Sequence, residues 1–489
     1  MVRTSQMGKG LYIIPSLALA ALPWAAAGGT AAGGAAKKTP PKRPNILYIM
    51  TDQQCYDMIR AISGNKYIST PNFDRLVESG FTFANAWCAS PLSVPSRFAL
   101  TTGLSPAQYD ARTNNTTPES KDRILEVAKN RSMGALFRAA GYDTYYAGKI
   151  HLPWANENTM DHYQFEYLEK SEREALADAG TKFFREHTGD KPFLFFFSFI
   201  QPHDICSNPY LLGQSEGMGA GRVPQERTPA DMRDDLKRFR QLLESQNPAI
   251  FEADSSSAPL PFNQAPTDKY PQKVNFKYTP EQWRQYKWIY YRLVEEADRE
   301  VGQVLDAFYA SPYKDNTIVI FTADHGDMGG SHGRVGKEIL YTECQRVPFI
   351  FSGPGVRHGM DHTSMVCNGW DLLPTMCDIA GIKKPDGLCG ESLWPYITKG
   401  SPLPQRPYLF FEIQGSYEIM ESDGSYAYVR YEPVNGRTLN NSEVLFDMKK
   451  DPGQLHNCIN DNKECREKAA ELSKILDSEL QKRQIIQTQ

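Results

Sequence analysis

Asn45-Ile46-Leu47-Tyr48-Ile49-Met50-Thr51-Asp52-Gln53 is a nearly unbroken apolar run that stops in a carboxylate and an amide. A strand that is apolar on both faces suits a position between two layers of helices, whereas a half-solvated strand would alternate. Such strands belong to parallel sheets, and open α/β sheets gather their ligands just beyond the carboxyl ends of the strands. Asp52 and Gln53 therefore stand where a site would form.

The arrangement recurs three times. Tyr142 to Ala147 leads into Gly148-Lys149-Ile150-His151. Lys191 to Ile200, with its Phe193-Leu194-Phe195-Phe196-Phe197-Ser198-Phe199 core, leads into Gln201-Pro202-His203. Thr317 to Phe321 leads into Thr322-Ala323-Asp324-His325-Gly326. Lys149 and His151, two apart in an extended segment, would share a side. Taken singly, each ending reads as readily as a solvated turn. Four together make one polar pocket the economical reading.

Helices punctuate these strands. Pro71 opens one with Phe73, Leu76 and Val77 on a face; Ser132 to Ala140 is capped at its start and closed by Gly141. A long amphipathic helix runs from its N-cap Thr279 to about Ala310, and Asp371 to Ala380 closes at Gly381. Pro348 to Ser352 adds a further strand.

A different signal lies in Ser93-Val94-Pro95-Ser96-Arg97-Phe98-Ala99-Leu100-Thr101-Thr102-Gly103. Pro95 fits the first turn of a helix, Ser93 falls near the N-cap, and Gly103 suits the stop. A helix N-terminus favours an anion, and Arg97 stands one turn from Ser93 on the same face. The string resembles the signature of the type I sulfatases: Cys or Ser, any residue, Pro, Ser, Arg, two residues, Leu, Thr, one residue, Gly. Every fixed position is met.

The resemblance extends in motif order from Pro44 to about Ile397, and again over Leu445-Phe446-Asp447 and Asp451-Pro452. It implies an α/β, alkaline-phosphatase-like fold: a large mixed sheet flanked by helices, with a smaller C-terminal antiparallel sheet plus helix. It also implies that Ser93 is oxidised after translation to formylglycine, an aldehyde that hydrates to a geminal diol. An unmodified serine attacking sulfur would leave a sulfate ester about as hard to cleave as the substrate. A hydrated aldehyde keeps a second hydroxyl, whose deprotonation expels sulfate, so one hard step becomes two easier ones.

Oxygen ligands such as Asp52, Gln53 and Asp324 suit Ca²⁺ or Mg²⁺ better than zinc, with His325 as a supplement. The resemblance implies Ca²⁺ held by these four residues together with the formylglycine made from Ser93. Many members have aspartate where Gln53 stands, and some have asparagine in place of His325. By the same resemblance Arg97 and Lys149 position the diol, His151 helps eliminate sulfate, Lys337 contacts sulfate, and His203 protonates the leaving alcohol. His332 and Arg334 read as surface or supporting groups.

The 489 residues allow one large domain and a smaller one. Arg3 and Lys9 precede an apolar run from Leu11 to Leu22 and the small residues Ala25 to Ala27, so residues 1–27 read as a signal peptide. Residues 28–43 read as a flexible leader, 44–400 as the catalytic domain and 401–489 as a C-terminal α+β subdomain. The segment from Asp204 to about Tyr278, rich in proline, glycine and charge with one helix across Pro229 to Glu244, reads as an insertion over the sheet edge. After Pro402 come short strands, including Ala427 to Tyr431 and Val444 to Met448, then a helix from Glu464 to about Gln484.

Removing Arg3 and Lys9 with the signal takes the formal charge from −4 to −6. That balance and the absence of a basic stripe argue against nucleic acid; the signal segment is too short and too interrupted by Pro15 and Pro23 for a membrane span, and no cysteine lies near its cleavage region to take a lipoprotein anchor. None of the nine cysteines forms a C-x-x-C pair, though export would permit a bridge such as Cys458 to Cys465. The expectation is a periplasmic or secreted sulfuric ester hydrolase acting on a sulfated carbohydrate and matured by a radical formylglycine-generating enzyme. Its alternatives are a phosphatase or phosphodiesterase of the same fold, or a glycan-binding protein with an unmodified Ser93.

Overall fold

The computed structural model describes residues 43–207, 280–431 and 442–483. The expected signal peptide and leader up to Lys42, Thr279, the helix across 229–244 and most of the 204–278 insertion lie outside the described residues.

Fourteen strands are described. In chain order they are β1 Asn45–Asp52, β2 Gly80–Phe83, β3 Ala86–Trp87, β4 Asp143–Gly148, β5 Glu166–Glu169, β6 Phe193–Pro202 and β7 Thr317–Ala323. Then follow β8 Phe349–Ser352, β9 Gly359–Asp361, β10 Val366–Cys367, β11 Tyr408–Ile413, β12 Ser416–Glu421, β13 Tyr426–Tyr431 and β14 Glu443–Asp447. Eight form one sheet in the order β5-β4-β6-β1-β7-β8-β2-β9. Pairing is parallel from β5 through to β7; β8 is antiparallel to both neighbours, and β2 and β9 are parallel. The sheet is therefore mixed, with its purely parallel half around β1.

Every residue of β1 is buried, and its alternating side chains enter two separate cores. Leu47 and Ile49 join Phe195, Phe197, Val319 and Phe321 on the face covered by the helices Pro71–Ser79 and Pro280–Ala310. Ile46, Tyr48 and Met50 join Leu194, Phe196, Ile318 and Ile320 beneath Phe137 and the helix Asn368–Ala380. Each such side chain contributes roughly 1.5–3 kcal/mol on burial, so slipping β1 by one residue would forfeit both cores at once.

The antiparallel sheet β11-β12-β13-β14 packs against the final helix Lys463–Lys482. Its core also takes in Trp87, Leu92, Ala99 and Trp370, and the Trp370 indole N–H donates to Phe410 O at 2.9 Å. The helices Lys121–Arg131 and Glu174–Glu186, and the edge strands β5 and β9, were not among the expected elements. All nine cysteines, Cys458 and Cys465 included, are free thiols in this structure. No described helix is long and apolar enough to cross a membrane.

Candidate active site

β1 lies between β6 and β7, with Thr51 opposite Ala323 and Ile49 opposite Phe197. That register brings the end of β1 beside the end of β7, where Asp324 N donates to Thr51 O at 3.2 Å. Asp52, Asp324 and His325 are fully buried there, and their ligand atoms lie within 4.8 Å of one another.

The helix Ser93–Thr102 points its N-terminus at this group. Leu92, in extended conformation, is its N-cap, so Ser93 is the first helical residue and Pro95 the third, slightly later than the cap reading expected. Proline is tolerated at either place because the opening N–H groups of a helix have no intrahelical acceptor. One of them, Val94 N, donates instead to Asn114 Oδ1 at 3.1 Å. At the other end Gly103 adopts φ 66° and closes the helix on Ala99 O. Ser93 Oγ lies 3.2 Å from His325 Nε2, while His325 Nδ1 is 2.9 Å from Gly326 O. A proton on Nδ1 satisfies that carbonyl and leaves the Nε2 lone pair facing Ser93 and the carboxylates.

Arg97 is 1% exposed and makes a fan of bonds. It donates to Asp52 Oδ2 at 2.8 Å, Asp324 Oδ2 at 3.0 Å, Ser198 Oγ at 2.7 Å and Lys149 O at 3.0 Å. Lys149 Nζ reaches the same Asp52 Oδ2 at 2.7 Å, and His203 Nε2 is 4.0 Å from Asp52 Oδ1. Lys337 donates to Gln53 Oε1, so the glycine-rich loop delivers its lysine to the site.

The chain after β4 is not extended as expected: His151 has φ 42°, and Gln53 likewise has φ 69°. Left-handed backbone at non-glycine residues is costly and persists where surroundings enforce it. Lys149 and His151 still line one cavity of about 530 Å³, together with Asn156, Glu157, Tyr167, Lys170 and Glu172. Of the two readings of His332 and Arg334, surface or supporting groups, the surface one fails: both are buried, and His332 stacks on Tyr341 at 4.0 Å.

Residues 44–382 match the family described as Sulfatase, and residues 330–484 match the family described as N-sulphoglucosamine sulphohydrolase, C-terminal. A Delta 4,5-hexuronate-2-O-sulfatase of Bacteroides thetaiotaomicron is 30% identical over 448 residues, covering 86% of each chain. The chain belongs to the sulfatase family. An N-acetylglucosamine-6-O-sulfatase of the same species is 25% identical over 523 residues, covering 94% of this chain and 89% of that one. The solved structure of a 2-O GAG sulfatase aligns with TM-score 0.71 at 26% identity, covering 91% of this chain and 93% of that one. Sulfatases hydrolyse sulfate esters, which asks this pocket to hold an anion and to activate a nucleophile.

The electrostatics of the sulfatase site fit a bound cation. Burial resists ionisation of Asp52, yet Lys149, His203, Arg97 and Lys337 hold its carboxyl well below the usual carboxylate range. Asp324 moves the other way: burial, then the negative charge of Asp52, push it up to about 7. Two carboxylates this close compete for the same positive charge. Asp52 Oδ1, fully buried, has no hydrogen-bond partner among the described residues. An orphaned carboxylate oxygen, a second carboxylate and a histidine lone pair on one point make a donor set for a hard divalent ion. Burial, then Lys337, bring His325 down to about 3, and burial, then Lys149, do the same to His151. Both imidazoles are therefore neutral near pH 7.

Several residues of this network were not expected from sequence. Ser198 accepts from Arg97, and Tyr146 donates its hydroxyl to Lys149 O at 2.6 Å. Asp327 accepts from the Gln53 side chain.

Proposed function

We propose that this chain removes sulfate from a sulfated carbohydrate, using formylglycine made from Ser93 and a Ca²⁺ ion held by Asp52, Gln53, Asp324 and His325. The observation that carries the reading is Ser93 Oγ, 3.2 Å from His325 Nε2 at a buried helix N-terminus, beside the two carboxylates. When present, the ion and the aldehyde supply an activated oxygen nucleophile with a second hydroxyl.

The chain's own residues do the rest. Arg97 and Lys149 hold the carboxylates and orient the residue at position 93. Lys149 and Lys337 neutralise the sulfuryl oxygens as charge builds on them. His203, beside Asp52, gives a proton to the departing alcohol oxygen; burial, then Lys149, hold its pKa well below the ordinary value, so an incoming sulfate must supply the charge that lets it take up that proton. His151, neutral at rest, takes a proton as sulfate leaves. The sugar occupies the cavity beyond Lys149 and His151, where Lys170 offers a counter-charge and Asn156, Glu157 and Glu172 offer hydroxyl partners. The likeness to a Delta 4,5-hexuronate-2-O-sulfatase, and to a solved 2-O GAG sulfatase, makes an unsaturated 2-O-sulfated uronate disaccharide the first substrate to test. Oxidation of Ser93 by a radical maturase and export to the periplasm or beyond complete the reading.

The test joins mass and turnover. Protein from a host with the maturase should weigh two hydrogens less than the encoded chain and hydrolyse aryl sulfate and the 2-O-sulfated disaccharide. Chelation should abolish turnover and Ca²⁺ restore it. An unshifted, inactive protein would leave a glycan binder, and faster cleavage of aryl phosphate than aryl sulfate would make it a phosphatase.

A further inference from the structure

Gln53 poses a chemical problem that an aspartate in its place would not. A carboxylate presents oxygen from either end, whereas an amide offers oxygen from one end and N–H donors from the other. For Gln53 to face a cation and Lys337 productively, its oxygen must be held outward.

The structure supplies the device. Asp327, 1% exposed, stands behind Gln53, and its Oδ2 accepts from Gln53 Nε2 at 2.6 Å. Its carboxylate also accepts from Tyr286 OH at 2.8 and 3.0 Å, Gly329 N at 2.7 Å and Gly336 N at 3.1 Å. A carboxylate ringed by donors can only accept, so the end of Gln53 that faces it must be the NH₂ end. Gln53 Oε1 is then free to accept a hydrogen bond from Lys337 Nζ. The Cys206 thiol, 3.3 Å from both side-chain atoms of Gln53, can donate to one or accept from the other and does not select an orientation. The backbone is pinned as well, with Gln53 N donating to Asp324 Oδ1 at 3.0 Å and Gln53 O accepting from Tyr290 OH at 2.6 Å.

We propose that Asp327 is a positioning residue which sets the orientation of the Gln53 amide, turning its oxygen toward the cation and Lys337. The proposal rests on Gln53 being a cation ligand, as put forward above.

Calcium binding to the full-length, unmodified chain, measured by titration calorimetry, tests it. Asp327→Asn lets the Gln53 amide turn either way and should weaken Ca²⁺ about 10–100-fold, as loss of an outer partner typically does. Adding Gln53→Glu to Asp327→Asn gives position 53 two equivalent oxygens and position 327 a donor for one of them. That double variant should bind within about threefold of the parent. Tyr286→Phe removes another bond to Asp327 without touching Gln53 and should leave affinity unchanged even if it lowers thermal stability. A folded Asp327→Asn with parental affinity would overturn the proposal, as would a double variant as weak as the single one. If the parent binds no Ca²⁺, or Asp52→Asn does not reduce its binding, the cation reading itself falls and the proposal with it.

Discussion

Arg97→Met should be among the most damaging single changes in this protein, and its cost can be worked from the site. The guanidinium is 1% exposed and touches both Asp52 Oδ2 and Asp324 Oδ2 at 2.8–3.0 Å. Removing one member of a buried ion pair costs roughly 3–5 kcal/mol, because a charge is left behind without compensation. Asp52 would keep Lys149 at 2.7 Å, whereas among the described residues Asp324 would keep hydrogen bonds from the backbone N–H groups of Gln53 and His325, at 3.0 and 2.9 Å, and the neutral His325 ring at 3.6 Å. Asp324, already pushed up to about 7 by burial and Asp52, would rise further without Arg97 and take up a proton, so the expected loss is at the low end, about 3 kcal/mol, and grows as pH rises. Arg97→Lys keeps the charge, but a single ammonium cannot span both carboxylates and Ser198, so about half the loss should remain. Urea unfolding of parent and both variants, without added metal, reads the difference, and added Ca²⁺ should recover part of it. A change below about 1 kcal/mol for Arg97→Met would refute the argument, because a buried charge pair cannot be removed that cheaply. Equal losses for the two variants would show that packing, not charge, decides.

Two further outcomes follow from other places in the fold. Glu418 is fully buried, its carboxyl accepts one hydrogen bond among the described residues, from Gln345 Nε2 at 2.6 Å, and burial pushes it from 4.5 up to about 8. A raised carboxyl is neutral in the fold, so its stabilisation is complete below pH 4.5 and is lost as pH rises through about 8, on the order of 5 kcal/mol in all. Glu418→Gln should flatten that part of the stability profile between pH 5 and 9, and parallel profiles would count against it. At Gly369 an added Cβ would lie 2.5 Å from Ala89 Cβ and 3.3 Å from Ala99 Cβ on the Ser93 helix. Gly369→Ala should cost about 1–3 kcal/mol and lower kcat by displacing Ser93, read by urea unfolding and aryl sulfate turnover.

The buried strands were legible because a continuous apolar run leaves few other readings, and their polar ends were legible because burial makes each charge conspicuous. Ser198 was visible as the one hydroxyl inside Phe193–Phe199, yet nothing local names Arg97 as its partner. Asp327 stands three residues after Asp324, but a carboxylate in a glycine-rich loop reads as solvated until Tyr286, more than forty residues earlier, is packed against it. Left-handed backbone at Gln53 and His151 has no sequence signal, since neither is glycine. His332 and Arg334 read as surface or supporting groups, because nothing local signals that both are buried or that His332 stacks on Tyr341.

The separation of Asp52 and Asp324 is set by two neighbouring strands, which come together only when segments more than 260 residues apart have paired. No fragment that lacks either strand can assemble the pair of carboxylates. An ion captured between them would grip the native chain and not the unfolded one, so raising its concentration should delay melting of the whole sheet by mass action. Heat tolerance and readiness to react would then rise and fall together with the same dissolved ion.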